Sequence, residues 1–174
     1  YESVFCISQG NPEERLQTFM DAVRTVYAST MSREALLYRA DRGLLEQDEQ
    51  MALLVQRVSG GISGELFFPL VAGVGFSFNP FVWNREIDPD AGMLRLVVGL
   101  GTRAVDRSDD DYTRIVSLSA PALRPEAGVE ERRRYSQSRV DVLDFRQNRF
   151  AQHLFADIAP GCEPHLLELV ASRD

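Results

Sequence analysis

Carboxylates follow a glycine turn in the middle of the sequence, and they are the first candidates for chemistry. The turn is Gly99-Leu100-Gly101, and Asp106, Asp110 and Asp111 come shortly after it. Because hard divalent cations prefer carboxylate oxygens, one interpretation is a metal site. The other is a solvated acidic turn, which we favour because aspartates are common in loops. We therefore assign no metal ligand from the sequence.

A run of charged residues from Glu130 to Arg134, reading EERRR, is the second candidate. Guanidinium groups match the geometry of phosphate, so an anion site is one interpretation. A solvated helix face with local ion pairs is the more common use of such a run, and it is the one we favour.

The cysteines and histidines indicate neither a metal centre nor a catalytic one. Cys6 and Cys162 lack metal-ligand spacing, and neither His153 nor His165 stands near them in a recognised pattern. Two reduced thiols are the expected state in a cytosolic protein. Nothing in the sequence supports a nucleophile–histidine pair or a pair of catalytic carboxylates, so we predict no catalytic residue.

Composition narrows the class of protein. The chain has 174 residues, of which 44% are hydrophobic and 26% charged, as is usual for a soluble globular protein. Its net charge is −7, and all 19 basic residues are arginine. A nucleic-acid partner is not expected without a basic excess. The longest apolar runs are too short to span a membrane, so we predict a cytoplasmic protein without a membrane partner.

Helices and strands must position these candidates, and the sequence predicts both. Helices are expected where an N-cap side chain precedes an amphipathic pattern, from Asn11 and from Ser32 to about Arg42. The apolar spacing of the first helix, which includes Leu16 and Phe19, predicts one buried face. Strands are expected at short apolar or alternating runs. These runs are 51–58, 73–78, 94–98, 115–118 and 140–145.

The connections between these elements also carry information. The glycine-rich residues 60–64 predict a flexible turn, and 121–125 reads as a linker. Phe67 and Phe68 are expected to pack on their own domain, with packing on a partner as the alternative, because an exposed pair would be costly. Trp83, the only tryptophan, is expected to anchor a long loop, with base stacking as the alternative. We predict an α+β fold with a mixed, mainly antiparallel sheet and helices packed on one face.

Several of these segments have the order and the residues of a known family. The strand and turn GVGFSFNP, followed by a hydrophobic strand and GLG, resembles the nucleotide-binding domain of phosphoenolpyruvate synthase and pyruvate phosphate dikinase. Shorter matches precede it in the family's order, which makes the set far more specific than any one motif. They are Tyr1-Glu2-Ser3, Tyr27-Ala28-Ser29, Arg33 with Ala35, Tyr38 and Arg39, and Leu54 to Val58. The resemblance makes residues 1–120 the central part of that domain and 121–174 a poorly matched C-terminal extension of it.

The resemblance implies an ATP-grasp-like site that phosphorylates a histidine on a separate domain, which then phosphorylates pyruvate on a third. It implies ATP and Mg²⁺ as cofactors, and pyruvate or phosphoenolpyruvate as partners bound by other domains of the parent protein. Two residues carry over as nucleotide ligands. Ser3 stands where the family has a threonine near the phosphates, and the serine keeps the hydroxyl. Gln56 stands where the family has a strand glutamine that contacts the nucleoside.

The sequence also departs from the family. An insertion at 59–70 separates two strands that are nearly continuous in the family, and the turn reads GLGTR, with Thr102 and Arg103, where GLGE is usual. The family's phosphate-binding lysine and metal-binding glutamate have no counterpart. The chain therefore resembles a piece of the domain, and alone it is expected to lack kinase activity. The alternatives are a non-catalytic nucleotide-binding or protein-interaction module derived from that family, and a purely structural fragment.

Overall fold

The computed structural model of the chain describes residues 2–105 and 111–162. The chain divides into two compact units, Tyr1–Val58 and Ser59–Asp174. The described part of the first unit consists of helices and irregular chain, whereas the second contains two sheets. The glycine turn belongs to the second unit.

Two helices form in the first unit where their caps predict them, α1 Pro12–Ser29 and α2 Arg33–Asp41. The Asn11 side chain accepts a hydrogen bond from the Glu14 backbone N–H at 3.0 Å. The Glu14 carboxylate accepts one from the Asn11 N–H at 2.9 Å, which completes a capping box. The Ser32 hydroxyl caps α2 by accepting from a backbone N–H. Both predicted helix starts are confirmed.

Replacing Asn11 with alanine is expected to destabilise α1 by about 1 kcal/mol, because first-turn N–H groups lose their acceptor. Thermal unfolding followed by far-ultraviolet circular dichroism would measure the loss. Gln9→Ala is the matched control, since Gln9 is exposed and lies outside the cap. Equal helix content and equal melting of the two variants would contradict the role of the cap.

Two expectations for the first unit are wrong. α1 buries none of its residues, and Leu16 and Tyr27 are 61% and 47% exposed. The described part of this unit contains no strand, so it has no sheet face of its own to cover the helix. The predicted strand 51–58 is irregular chain, with Leu54 82% exposed. Strand-like composition is not sufficient, because a strand persists only when a neighbour completes its hydrogen-bond ladder.

Two antiparallel sheets form the second unit. One has the strand order β1-β2-β6-β7 and the other β3-β4-β5. The strands are β1 Gly61–Ser63, β2 Leu66–Phe68, β3 Ala72–Phe76, β4 Met93–Val97, β5 Arg114–Ser117, β6 Arg139–Asp144 and β7 Arg149–Leu154. Helices and antiparallel sheets together confirm the α+β class, and the packing of helices on one face stays a prediction.

Short helices accompany these strands. They are α3 Thr102–Val105, α4 Val129–Arg134 and α5 Phe155–Ile158, with 3-10 turns at Pro89–Ala91 and Ala159–Gly161. α4 is the helix predicted from the EERRR run, and its residues are all exposed, as a solvated face requires. The predicted local ion pairs are wrong, because none of its charged side chains forms one within the described residues. None of the helices in the described ranges combines the length and the hydrophobicity that crossing a membrane requires.

Four predicted strands are confirmed. The runs 73–78, 94–98, 115–118 and 140–145 appear as β3, β4, β5 and β6, with ends shifted by one or two residues. In the register of β3 and β4, Gly75 lies opposite Leu94.

The insertion folds into a hairpin. The predicted flexible turn at 60–64 is wrong in part, because β1 lies within it and pairs with β2 across Gly64, which has φ +62°. β2 continues the sheet by pairing with β6. Phe68 is buried, and the Phe67 ring stacks on the Phe145 ring with centroids 6.0 Å apart. All three rings belong to one unit, so the prediction that this pair packs on its own domain is confirmed.

The core of the second unit forms around β2, β6 and α5. Phe68, Val140, Val142 and Ile158 are buried together in one cluster. β6 is covered on both faces, because every residue from Val140 to Asp144 is buried. A strand covered on both faces removes its polar side chains from solvent along with its apolar ones, and these polar groups then need internal partners.

Candidate functional site

The glycine turn after β4 lies where the two sheets meet. Gly99 has φ +94°, a conformation that favours glycine. Its N–H donates to the Pro69 carbonyl at 3.0 Å, and the Leu100 N–H donates to the Asp141 carbonyl at 2.8 Å. Pro69 follows β2 and Asp141 lies in β6, so the turn joins the three-stranded sheet to the four-stranded one. Leu100 is fully buried there.

Asp141 places a buried carboxylate beside this turn. One of its oxygens accepts from the Thr102 hydroxyl at 2.6 Å, and the other accepts from Arg103 Nε at 3.0 Å. Gln152 Nε2, in β7, donates to the same oxygen as Arg103 at 3.3 Å. A buried carboxylate is tolerated only when it is paired and hydrogen-bonded, so these three donors hold Asp141 in position.

Arg103 connects Asp141 to a second carboxylate. Its Nη1 lies 3.1 Å from Asp111 Oδ2, and both side chains are less than 10% exposed, at 9% and 5%. Asp111 also accepts from the Ser138 N–H at 2.6 Å and from the Arg139 N–H at 3.0 Å. We name this set of polar residues around the buried Arg103 and Asp141 the Arg103 network. It consists of Thr102, Arg103, Asp111, Asp141 and Gln152.

The Arg103 network is built as a junction between sheets, and its carboxylates are already used. The oxygens of Asp111 face a guanidinium and two backbone N–H groups, so this donor set does not fit Mg²⁺. Within the described ranges, no group of three or more His, Cys, Asp or Glu side chains could hold a metal ion. The predicted solvated turn is wrong at Asp111, because Arg103 draws the carboxylate inward. Asp106 and Asp110 lie outside the described residues.

Sequence reasoning missed Asp141 and Gln152. The alternation of 140–145 suggests that Asp141 points to solvent, but both faces of β6 are covered. A signal was present in Arg103, since a buried arginine beside a turn requires a carboxylate. Arg103 takes two carboxylates, Asp111 8 residues away and Asp141 38 residues away, and at the second distance spacing carries no information.

The two predicted nucleotide ligands lie in the first unit. Ser3 and Gln56 are both exposed and both in irregular chain. Neither side chain has a hydrogen-bond partner within the described part of the chain, so a hydroxyl and an amide are available to a ligand. No hydrogen bond joins the two side chains, and their assignment as ligands stays a prediction.

Two N–H donors in the loop between β3 and β4 also have no acceptor among the described residues. Asn79 is fully buried, and its Oδ1 accepts from the Phe81 N–H at 3.0 Å while its Nδ2 has no partner. Trp83 is half-buried, and its indole Nε1 is likewise without an acceptor. The burial of its ring agrees with the predicted role of Trp83 as a loop anchor.

Comparison with known proteins relates most of the chain to one family. Residues 2–156 match the family model described as pyruvate phosphate dikinase, AMP/ATP-binding domain. The match includes both predicted nucleotide ligands and the whole Arg103 network. No curated protein and no solved structure was found to match the chain. Because the family model covers far more than half of the residues, the chain belongs to the family of pyruvate phosphate dikinase AMP/ATP-binding domains.

Proposed function

We propose that this chain is the ATP-binding part of a phosphoenolpyruvate synthase-like phosphotransferase. In that reaction ATP phosphorylates a carrier histidine on another domain, and the carrier then phosphorylates pyruvate. The observation that carries the proposal is the family match over residues 2–156. We place the activity in the cytoplasm, where ATP and pyruvate are both available.

The role of the chain in this reaction is to bind and orient the nucleotide. The Gln56 amide can both donate to and accept from a base or ribose, and the Ser3 hydroxyl can donate to a phosphate oxygen. Both side chains are exposed and make no internal hydrogen bond in the described residues, so no existing bond has to break when a ligand binds. ATP can form hydrogen bonds with neutral donors and acceptors of this kind.

Phosphoryl transfer itself needs positive charge on the β and γ phosphates. The sequence contains no lysine, and Arg103 is committed to Asp111 and Asp141. The carboxylates of the Arg103 network do not fit Mg²⁺, so no step of the reaction is assigned to a metal in this chain. We therefore expect the isolated chain to bind nucleotide without transferring its phosphate.

A second candidate function is a non-catalytic nucleotide-binding or interaction module derived from the same family. The observation that favours it is the GLGTR turn. Where the family has a glutamate, this chain has Thr102 and Arg103, and both side chains bond inward to Asp141. A turn whose side chains are used to join two sheets offers a ligand only its backbone.

Calorimetric titration of the chain with ATP is expected to show binding that Gln56→Ala weakens about tenfold, the loss of one net hydrogen bond to a ligand. Gln50→Ala is the matched control, because Gln50 is an exposed glutamine in the same irregular segment. Its affinity for ATP should equal that of the unchanged chain.

Absence of heat at millimolar ATP would contradict nucleotide binding by this chain. Equal affinities of Gln56→Ala and Gln50→Ala would instead remove Gln56 from the site while keeping ATP binding. Pyruvate-dependent formation of AMP by the full-length parent protein separates the phosphotransferase from the non-catalytic module.

A further inference from the structure

Three arginines of the second unit lie outside both the core and the Arg103 network. Arg114 is half-buried at the start of β5, Arg124 is exposed in the irregular segment after it, and Arg132 is exposed in α4. None of the three guanidinium groups has a hydrogen bond or an ion pair within the described part of the chain. We name these residues the arginine cluster.

The charges of the arginine cluster act on one another. Burial lowers the pKa of the Arg114 guanidinium, and the positive charges of Arg124 and Arg132 lower it further. The negative charge of Glu126 acts in the opposite direction, but Glu126 forms no ion pair with them in the described residues. Within the described residues, the repulsion is therefore only partly offset.

The carboxylate nearest in sequence to Arg132 forms a hydrogen bond outside the arginine cluster. Glu131 Oε2 accepts a hydrogen bond from the Ala127 backbone N–H at 2.8 Å, ahead of α4. The remaining glutamate of this helix, Glu130, is exposed and belongs to its first turn. The basic residues of α4 occupy its last turn instead, so positive charge is concentrated at that end.

Aromatic packing holds this basic end of α4 close to the start of β5. The rings of Tyr112 and Tyr135 meet edge to face, with centroids 5.1 Å apart. Tyr112 lies two residues before Arg114, and Tyr135 directly follows α4. The Arg134 guanidinium lies 5.6 Å from the centroid of the Tyr135 ring. Side-chain packing thus brings the two elements that carry Arg114 and Arg132 together.

We propose that the arginine cluster binds a phosphate group of a small phosphorylated molecule. Each guanidinium presents a planar fork of N–H donors that matches two phosphate oxygens. No ion pair within the described residues has to break before these forks can turn to a ligand, and a dianion relieves the repulsion among them. The proposal does not rest on ATP binding, because it uses neither Ser3 nor Gln56.

Inorganic pyrophosphate is the probe, titrated into the full chain by calorimetry in buffers of constant ionic strength. Arg132→Gln is expected to weaken binding at least about tenfold, because one charge-assisted contact is lost. Arg33→Gln is the matched control, an exposed arginine on α2 in the first unit, and should bind pyrophosphate normally. Arg132 is exposed, so the substitution leaves the fold intact; Arg124→Gln provides a second exposed variant with the same expectation.

Two further measurements separate this site from a nucleotide site and from general charge effects. Gln56→Ala should bind pyrophosphate with unchanged affinity. Without any ligand, Arg132→Gln should melt no lower than the unchanged chain, because removing one charge relieves repulsion at Arg114. Equal pyrophosphate affinity of Arg132→Gln, Arg124→Gln and Arg33→Gln would overturn the proposal, as would loss of pyrophosphate binding in Gln56→Ala or absence of any binding.

Discussion

Asp141→Asn is expected to lower the free energy of unfolding of the second unit by about 3 kcal/mol, the lower end of the range for breaking a buried ion pair. The amide has nearly the same shape, but it carries no charge and brings an N–H₂ donor against groups that are themselves donors, Thr102 and Arg103. Arg103 keeps Asp111 as a partner, which limits the loss. Urea unfolding followed by the fluorescence of Trp83, the only tryptophan and a member of this unit, would measure it.

Asp157→Asn is the control for this substitution. Asp157 lies in α5 of the same unit, and its side chain is exposed. Its replacement should change the free energy of unfolding by no more than about 0.5 kcal/mol, as is usual at the surface. If Asp141→Asn cost no more than Asp157→Asn, the Arg103 network would not be what joins the two sheets.

Two of the four strands that the sequence predicts correctly carry a local stop signal. The run 73–78 ends at Asn79-Pro80 and the run 94–98 ends at Gly99, so each carries its own stop. The errors come from pairing. The segment 51–58 has strand composition but no partner among the described residues, whereas glycine-rich β1 is a strand because β2 pairs with it. Pairing is a property of distant residues, which one segment's pattern does not contain.

The candidate site was predictable in part for the same reason. The glycine turn is visible in the sequence because it follows a short motif. Its departure from the usual GLGE pattern, at Thr102 and Arg103, is visible for the same reason. What the departure does is not visible, since the explanation lies in Asp141, on a strand far along the chain. By the resemblance, Thr102 stands where a glutamate is usual, and Thr102 and the following Arg103 both bond to a carboxylate of β6. The resemblance located the turn, and the structure shows that its side chains serve the junction of the sheets.

Because of its backbone conformation, the first glycine of this turn is more sensitive to substitution than the second. Gly99 has φ +94°, which costs an L-residue about 1–2 kcal/mol. A Cβ at Gly99 would also lie 2.5 Å from Val140 Cγ1 and 2.7 Å from the Asp141 carbonyl oxygen. Both atoms belong to the buried strand β6, so neither can move away without disturbing the core or the Arg103 network. A Cβ at Gly101 would meet only Ala72 Cβ, at an ordinary 3.6 Å.

Gly99→Ala is therefore expected to destabilise the second unit by about 3 kcal/mol, from backbone strain and overpacking together. Gly101→Ala is the matched control, the same change two positions along the same turn, and should cost less than about 1 kcal/mol because it meets neither obstacle. Urea unfolding monitored by Trp83 fluorescence compares the two variants directly. If the two variants lost equally little free energy of unfolding, the turn would be able to move away from β6. The junction of the sheets would then depend on the side chains of Thr102 and Arg103 alone.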